Sequence, residues 1–269
     1  PNLPDRHRSV ERLGEPDREG VTLKAPAADQ QRLLDVQALD TRLDQLAHRR
    51  ATLPEHATVA ELEQRLGALG AQIVAARTEE SDVAKELTKA ESDVDQVRAR
   101  ADRDQKRLDA GQVSSPRDLE SLQHEIATLG RRQGDLEEIV LEVMERLESV
   151  QSRHSELVAQ QEQVRSELTQ TTARRDVLVS EIDAEVRTLG QQRVTQASGL
   201  DTGLVDLYEK IRAQQGGTGA AELRQRRCGG CRLELNTVEL GRIQSSDPDE
   251  VMRCEECRRI LVRTAESGL

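Results

Sequence analysis

Among 269 residues there is no Phe, no Trp and a single Tyr, while 33% are charged and 35% hydrophobic. A chain of this length without large aromatic side chains does not fill a conventional globular core, which argues against a large globular enzyme; the balance is that of long solvated helices joined along narrow apolar seams. With 39 Lys and Arg against 50 Asp and Glu the formal net charge is −11, so indiscriminate attraction to nucleic acid or anionic membrane is disfavoured and any nucleic-acid contact must be local.

Residues 1–23 hold Pro1, Pro4 and Pro16 among many charges and lack the apolar stretch of a secretory signal; they are read as a disordered extension or an artificial leader. No apolar run approaches the ~18 to 20 residues that cross a bilayer, the longest being pieces such as Ile139-Val140-Leu141 and Ile260-Leu261-Val262, so no membrane partner is expected. Without an export signal, the four cysteines are expected as reduced thiols of a cytoplasmic protein.

Leu33, Val36, Leu39, Leu43 and Leu46 recur every three or four positions, with Leu53 one heptad further on, and mark the apolar face of a first helix, which Pro54 is expected to end. Thr58 and Glu61 have the spacing of a capping box and are expected to open a second helix. Alternating steps of three and four from Leu62 then visit Leu66, Leu69, Ile73, Ala76, Glu80, Val83, Leu87, Ala90, Val94, Val97, Ala101, Asp104 and Leu108, a heptad seam with two polar positions. Residues 109–116 break the pattern, and Ser115 before Pro116 supplies the start of a third helix.

The same stepping resumes from Leu119 through Leu122, Ile126, Leu129, Gln133, Leu136, Val140, Val143, Leu147, Val150, His154, Leu157, Gln161, Val164 and Leu168, and less cleanly to Leu178 and Ile182. At ~1.5 Å per residue the second helix is about 75 Å long and the third about 100 Å, which leaves the third room to pair with the first as well. The pattern therefore predicts a mainly α chain: a long antiparallel coiled-coil hairpin over residues 24–198, its turn near 109–116, with bends or soft spots at Gly67, Gly70, Gly130, Gly134 and Gly190. A monomer satisfies these seams within one chain, and apolar positions left over on the longer helix suit at most a weak homodimer.

Residues 199–269 change character. Leu204, Leu207, Tyr208 and Ile211 predict a short amphipathic helix ended by Gly216-Gly217, short strands are expected within 220–227 and 251–263, and Asn236 with Glu239 marks a further helix start. Cys228-Gly-Gly-Cys231 and Cys254-Glu-Glu-Cys257 lie 22 residues apart, and two CxxC turns at that spacing aim four sulfurs at one point, the arrangement of a tetrahedral zinc site. A closed site of four thiolates leaves no position for water or substrate, so the Zn²⁺ is structural. A redox dithiol is the alternative, but that motif opens a helix in a βαβ setting, which is missing from this pattern. The histidines form no ligand set; His154 falls on the heptad seam, where a polar residue sets register.

Residues 1–203 carry 28 basic and 39 acidic side chains, whereas 204–269 carry 11 of each, so the coil is the acidic part. Arg224, Arg226, Arg227 and Arg232 flank the first cysteine pair, and Arg253, Arg258, Arg259 and Arg263 the second. They are the candidate contacts to RNA, DNA or another partner, since guanidinium groups on a shared face grip phosphates bidentately; the plainer reading is a solvated rim drawn to the −2 charge of a zinc tetrathiolate.

The order of parts, with Asp109-Ala-Gly-Gln-Val-Ser-Ser-Pro at a hairpin tip, then Leu119-Glu-Ser-Leu-Gln-His-Glu-Ile, Leu207-Tyr-Glu-Lys-Ile-Arg, CGGC, CEEC and Arg259-Ile-Leu, resembles the bacterial C4-type zinc-ribbon and coiled-coil family over about residues 24–263. The resemblance implies Cys228, Cys231, Cys254 and Cys257 as zinc ligands. It also implies a non-enzymatic adaptor or chaperone, as members in flagellated bacteria serve the nitrogen-type alternative sigma factor and flagellin messenger RNA. The chain departs from the usual second knuckle, which tends to have Pro and Gly where Glu255 and Arg258 stand. The expected function is thus a zinc-ribbon adaptor holding a partner protein on its hairpin, with nucleic-acid binding through the arginine-rich ribbon as the alternative. No phosphate-cradling GxxxxGK[ST] and no GxSxG elbow is present in the sequence, so an enzyme has a poor case.

Overall fold

The computed structural model describes residues 23–113 and 115–269; the expected extension lies outside the described residues up to residue 22. Among the described residues, five helices, α1 (Ala27–Ala51), α2 (Pro54–Asp109), α3 (Pro116–Ser198), α4 (Thr202–Gln214) and α5 (Thr237–Ser245), accompany three short strands, β1 (Ala220–Arg224), β2 (Arg227–Cys228) and β3 (Ile260–Val262). The chain falls into two compact units: Leu53–Leu178 is one, and the described residues up to Thr52 together with Val179–Leu269 form the other. This division differs from the expected cut at residue 198, because α1 and the last turns of α3 group with the ribbon.

In the Leu53–Leu178 unit, α2 and α3 are antiparallel and the heptad seam is buried. Leu62, Leu69, Ala76, Val83, Ala90 and Val94 of α2 are buried, as are Leu122, Leu136, Val143, Val150 and Val164 of α3. Arg98 pairs with Glu137, and Arg146 and Arg153 with Glu86 and Glu79, lacing the seam from outside. Two of the polar seam residues, Glu80 and His154, meet at 2.9 Å, so each answers the other and fixes the register. Leu119 is an exception: it stands on the seam by spacing yet is exposed.

α2 begins at Pro54 and not at a Thr58 capping box: Leu53 is the N-cap residue without a side-chain cap, and the Thr58 hydroxyl donates to the Pro54 carbonyl inside the helix. Proline suits that first position because its missing N–H would have had no partner there. At the other end, the Gln112 N–H reaches the Arg107 carbonyl and the Gly111 N–H the Leu108 carbonyl, with Gly111 at φ +63°, a glycine-terminated stop that starts the reversal. Helix is continuous through Gly67, Gly70, Gly130, Gly134 and Gly190.

The second unit is built on a three-stranded sheet of order β2-β1-β3, β1 antiparallel to β2 and parallel to β3. Side-chain alternation splits the sheet between two cores. Ala220, Ile260 and Val262 face a helical core with Leu33, Val36, Leu204, Tyr208 and Ile211. Ala221, Leu223 and Leu261 face the cysteine side with Leu235, Leu240, Ile243 and Met252. Leu23, the last residue of the expected extension, is instead fixed against the ribbon, where its carbonyl accepts from the Val251 N–H at 3.0 Å.

A buried polar cluster ties α1, α3 and α4 together. The Asp40 carboxylate, 3% exposed, accepts from the Tyr208 hydroxyl at 2.7 Å and from two Arg193 nitrogens at 3.1 and 3.3 Å, with Arg212 3.5 Å away. One turn earlier, buried Gln37 accepts from the N–H groups of Gly219 and Ala220 and donates to the Gly217 carbonyl, which docks α1 on the start of β1. Gly219 must be glycine because a Cβ there would stand 2.7 Å from the Tyr208 ring and carbonyl.

Burial, aided by the bond to Asp40, pushes the Tyr208 phenol far above its ordinary range. The unfolded chain releases that proton near pH 10 while the folded chain holds it, so this contribution to stability is complete below about pH 10 and declines as pH rises further. Unfolding free energy measured from pH 8 to 11.5 is expected to fall above pH 10 in the parent and to fall less steeply in Tyr208→Phe. Parallel slopes would show that the phenol is free to ionise in the fold.

Candidate metal centre and its arginine rim

The four cysteines are unpaired thiols brought together by the ribbon. All four sulfurs lie within 4.8 Å of one another, with Cys228 Sγ 3.8 Å from Cys257 Sγ and Cys231 Sγ 3.9 Å from Cys254 Sγ. Four sulfurs held tetrahedrally at a Zn–S distance of about 2.3 Å stand about 3.8 Å apart, so the set fits one structural Zn²⁺ held by thiolates alone.

Each CxxC forms the same backbone knuckle. In the first, the Cys228 N–H donates to the Leu233 carbonyl and the Arg232 N–H returns to the Cys228 carbonyl, at 3.0 and 2.7 Å; in the second, Cys254 and Arg259, then Arg258 and Cys254, repeat the pair at 3.0 and 2.8 Å. Both turns close only if the residue after the second cysteine is left-handed, and Arg232 and Arg258 sit there at φ 65° and 62°. A side chain in that conformation costs on the order of 1 kcal/mol relative to glycine. The glycines of the first knuckle are needed for close approach instead, since Gly229 lies against the Glu222 carbonyl and a Cβ on Gly230 would meet the Arg259 side chain at 2.7 Å.

Burial raises the Cys228 and Cys254 thiols above their ordinary range. Burial acts in the same direction on Cys257, but hydrogen bonds from the Arg259 backbone and side chain outweigh it and hold that thiol low. The second knuckle is also braced by Glu239. The Asn236 side chain caps α5 by accepting from the Glu239 N–H at 2.8 Å, as its spacing predicts, while the buried Glu239 carboxylate accepts from the Glu255 N–H at 3.1 Å. Only the cap half of that pattern is visible as spacing; the partner of Glu239 is 16 residues away.

The eight arginines divide by what holds them. Arg263 donates to the carbonyls of Ile243, Ser246, Asp247, Pro248 and Glu250, and Arg259 to those of Thr218 and Gln215, so both guanidinium groups secure loops. Arg224 pairs with Glu266 at 2.8 Å and Arg227 with Glu234 at 3.6 Å. The Arg253 Nε donates to the Arg258 carbonyl. Arg226, Arg232 and Arg258 are exposed and make no side-chain ion pair among the described residues. All three have positive φ, Arg226 at 64° in the two-residue turn between β1 and β2.

Fold and centre together define a zinc-ribbon protein carrying a coiled-coil hairpin. The chain belongs to the family of the CT398-like coiled coil hairpin domain, whose model matches residues 36–216, and residues 227–261 match the C4-type zinc ribbon domain. It is similar to an uncharacterised protein of Mycobacterium tuberculosis, 36% identical over 241 residues that cover 90% of this chain and 98% of that one, and to one of Mycobacterium leprae, 30% identical over 81% and 93%. A solved structure from Mycobacterium smegmatis matches with a TM-score of 0.76 at 36% identity, covering 90% of this chain and all of the other. The structure of CT398 from Chlamydia trachomatis shares the fold, with a TM-score of 0.65 at 16% identity over 88% and 98% of the two chains. Among the described residues no helix is long and apolar enough to cross a membrane.

Proposed function

We propose that this protein is a non-enzymatic adaptor or chaperone whose hairpin holds a partner protein. The observation that carries the reading is the set of apolar residues left over once the seam is closed. Ile139, Leu141, Met144, Val158 and Val177 of α3 are exposed although α2 already answers the buried face of that helix. Apolar side chains concentrated on one exposed helix are what a docking surface requires. Capture from a native lysate of the source organism, with and without nuclease, tests it: a partner protein retained after nuclease treatment is the expected result, and loss of every protein partner on digestion overturns it.

A second reading, nucleic-acid contact through the ribbon, is favoured by the knuckle arginines. Glycine would relieve the backbone at Arg232 and Arg258, yet two unpaired guanidinium groups stand there beside the metal centre. Residues that hold strain while their side chains make no ion pair among the described residues are candidates for an external partner. If they grip phosphates, the double variant Arg232→Gly and Arg258→Gly keeps or gains ribbon stability while losing affinity for an oligonucleotide. Its slope of log affinity against log salt should flatten by roughly 0.7 to 0.9 per contact removed, with little change in sequence preference. Unchanged slopes would assign both arginines to the solvated rim.

A further inference from the structure

A groove of about 340 Å³ lies between α2 and α3 of the hairpin, floored by Val94, Val140 and Leu141 and edged by Glu91, Asp95, Glu137 and Arg98. Its apolar floor continues outward along α3. Leu141 is 60% exposed, and Met144, one helical turn on, is 42% exposed. Side chains three positions apart on a helix are neighbours, so the two form one patch at the lip of the groove.

The surroundings are acidic. Residues 89–98 and 137–148 together hold eight carboxylates against three cations, a local charge of −5. Two of the cations are committed: Arg98 pairs with Glu137 at 3.2 Å and lies 3.9 Å from Asp95, and Arg146 pairs with Glu86. Asp95 itself remains largely exposed, so its charge is available beside the apolar floor.

We propose that this groove docks a basic amphipathic helix of a partner protein, with apolar residues at helical spacing seated on Val94, Val140, Leu141 and Met144 and flanking Lys or Arg paired with the carboxylate rim. The proposal rests on the reading of the hairpin as a docking surface and names its partner class. Charge decides among occupants. A second copy would set the same −5 patch against itself, and a phosphate backbone would be repelled, whereas a cationic helix gains steering and register from the rim in addition to the burial of its apolar face. Leu141 is the anchor, being the most exposed apolar side chain of the patch and central to it.

The test uses the full chain and a fluorescein-labelled helical peptide of about 14 residues, leucines on one face and lysines on the other, read by anisotropy; a matched peptide with glutamates in place of lysines is the charge control. The expected result is salt-sensitive binding of the lysine peptide alone. Leu141→Gln should weaken it by about tenfold, and Glu91→Gln with Asp95→Asn by several-fold. Val74→Gln, at an exposed position of α2 that does not line the groove, should leave it unchanged. Circular dichroism confirms that each variant keeps its helices. Equal affinity of Leu141→Gln and Val74→Gln, binding of both peptides alike, or no binding at low salt overturns the proposal. So does a dimer that Leu141→Gln dissociates, since a second copy would then cover the patch. Nuclease-resistant capture of a protein by the parent chain is read separately, and its survival alongside failure here removes the basic-helix assignment while leaving the adaptor reading intact.

Discussion

Replacing Asp40 by alanine is expected to lower the stability of the ribbon-bearing unit by about 3 to 5 kcal/mol, the largest single-residue effect in the helical core. The carboxylate is 3% exposed and is the acceptor for the Tyr208 hydroxyl and both Arg193 nitrogens, while Arg212 lies within 3.5 Å. Its removal strands a buried phenol donor and one face of two guanidinium groups, and water reaches that pocket poorly because Tyr208 is fully buried. Arg193 retains Glu209 and Arg212 retains Asp44, which limits the loss to the Asp40 side of the cluster. Asp40→Asn should fall between parent and alanine, since an amide oxygen still accepts from the phenol but no longer balances the arginines. Hydrogen exchange locates the effect: amides of α1, α4 and β1 should lose protection while those of the Leu53–Leu178 unit keep theirs. A loss under about 1 kcal/mol, or equal loss of protection in both units, would show that the cluster is ornamental to the fold.

That cluster is also where sequence reading stops. The heptad seam is legible because its signal is local and repeated: apart from Glu80 and Asp104, each alternating step of three and four from Leu62 to Leu108 lands on an apolar residue, and burial follows that stepping through Val94. The metal centre is legible because four cysteines at CxxC spacing have few alternative uses. Asp40 and Gln37 read as ordinary polar residues of an amphipathic helix, since their partners Tyr208 and Gly219 lie 168 and 182 residues away. The division within the arginine rim is hidden from the sequence for a related reason. Its eight members are alike in sequence, but Arg263 is engaged by five carbonyls and Arg259 by two, and nothing in the spacing separates them from Arg232 and Arg258. The start of α2 was masked by a competing signal, because Thr58 and Glu61 match a capping box while Pro54, four residues earlier, already serves as the first helical residue.

Removal of the metal is expected to have the second large effect, and to have it in one place. Purified protein should carry about one zinc per chain, with its four thiols unreactive until a chelator or acid releases the ion, because protons and zinc compete for the same sulfurs. Once zinc leaves, four thiols whose burial is offset by coordination stand close together, and the core formed by Leu223, Leu235, Leu240, Ile243, Met252 and Leu261 around Cys228 and Cys254 loses the staple that closes it. The opposite face of the sheet is anchored differently, through Ala220, Ile260 and Val262 against α1 and α4. Exchange should therefore rise first across residues 226–258 and later, or less, in β1 and β3. Cys254→Ser should reproduce this without chelator, and most of the helical dichroism should remain, because the α2 and α3 seam closes with its own residues. Protein prepared without chelator that contains no zinc would remove the metal centre, and collapse of the helical signal in Cys254→Ser would show that the hairpin depends on the ribbon for its fold.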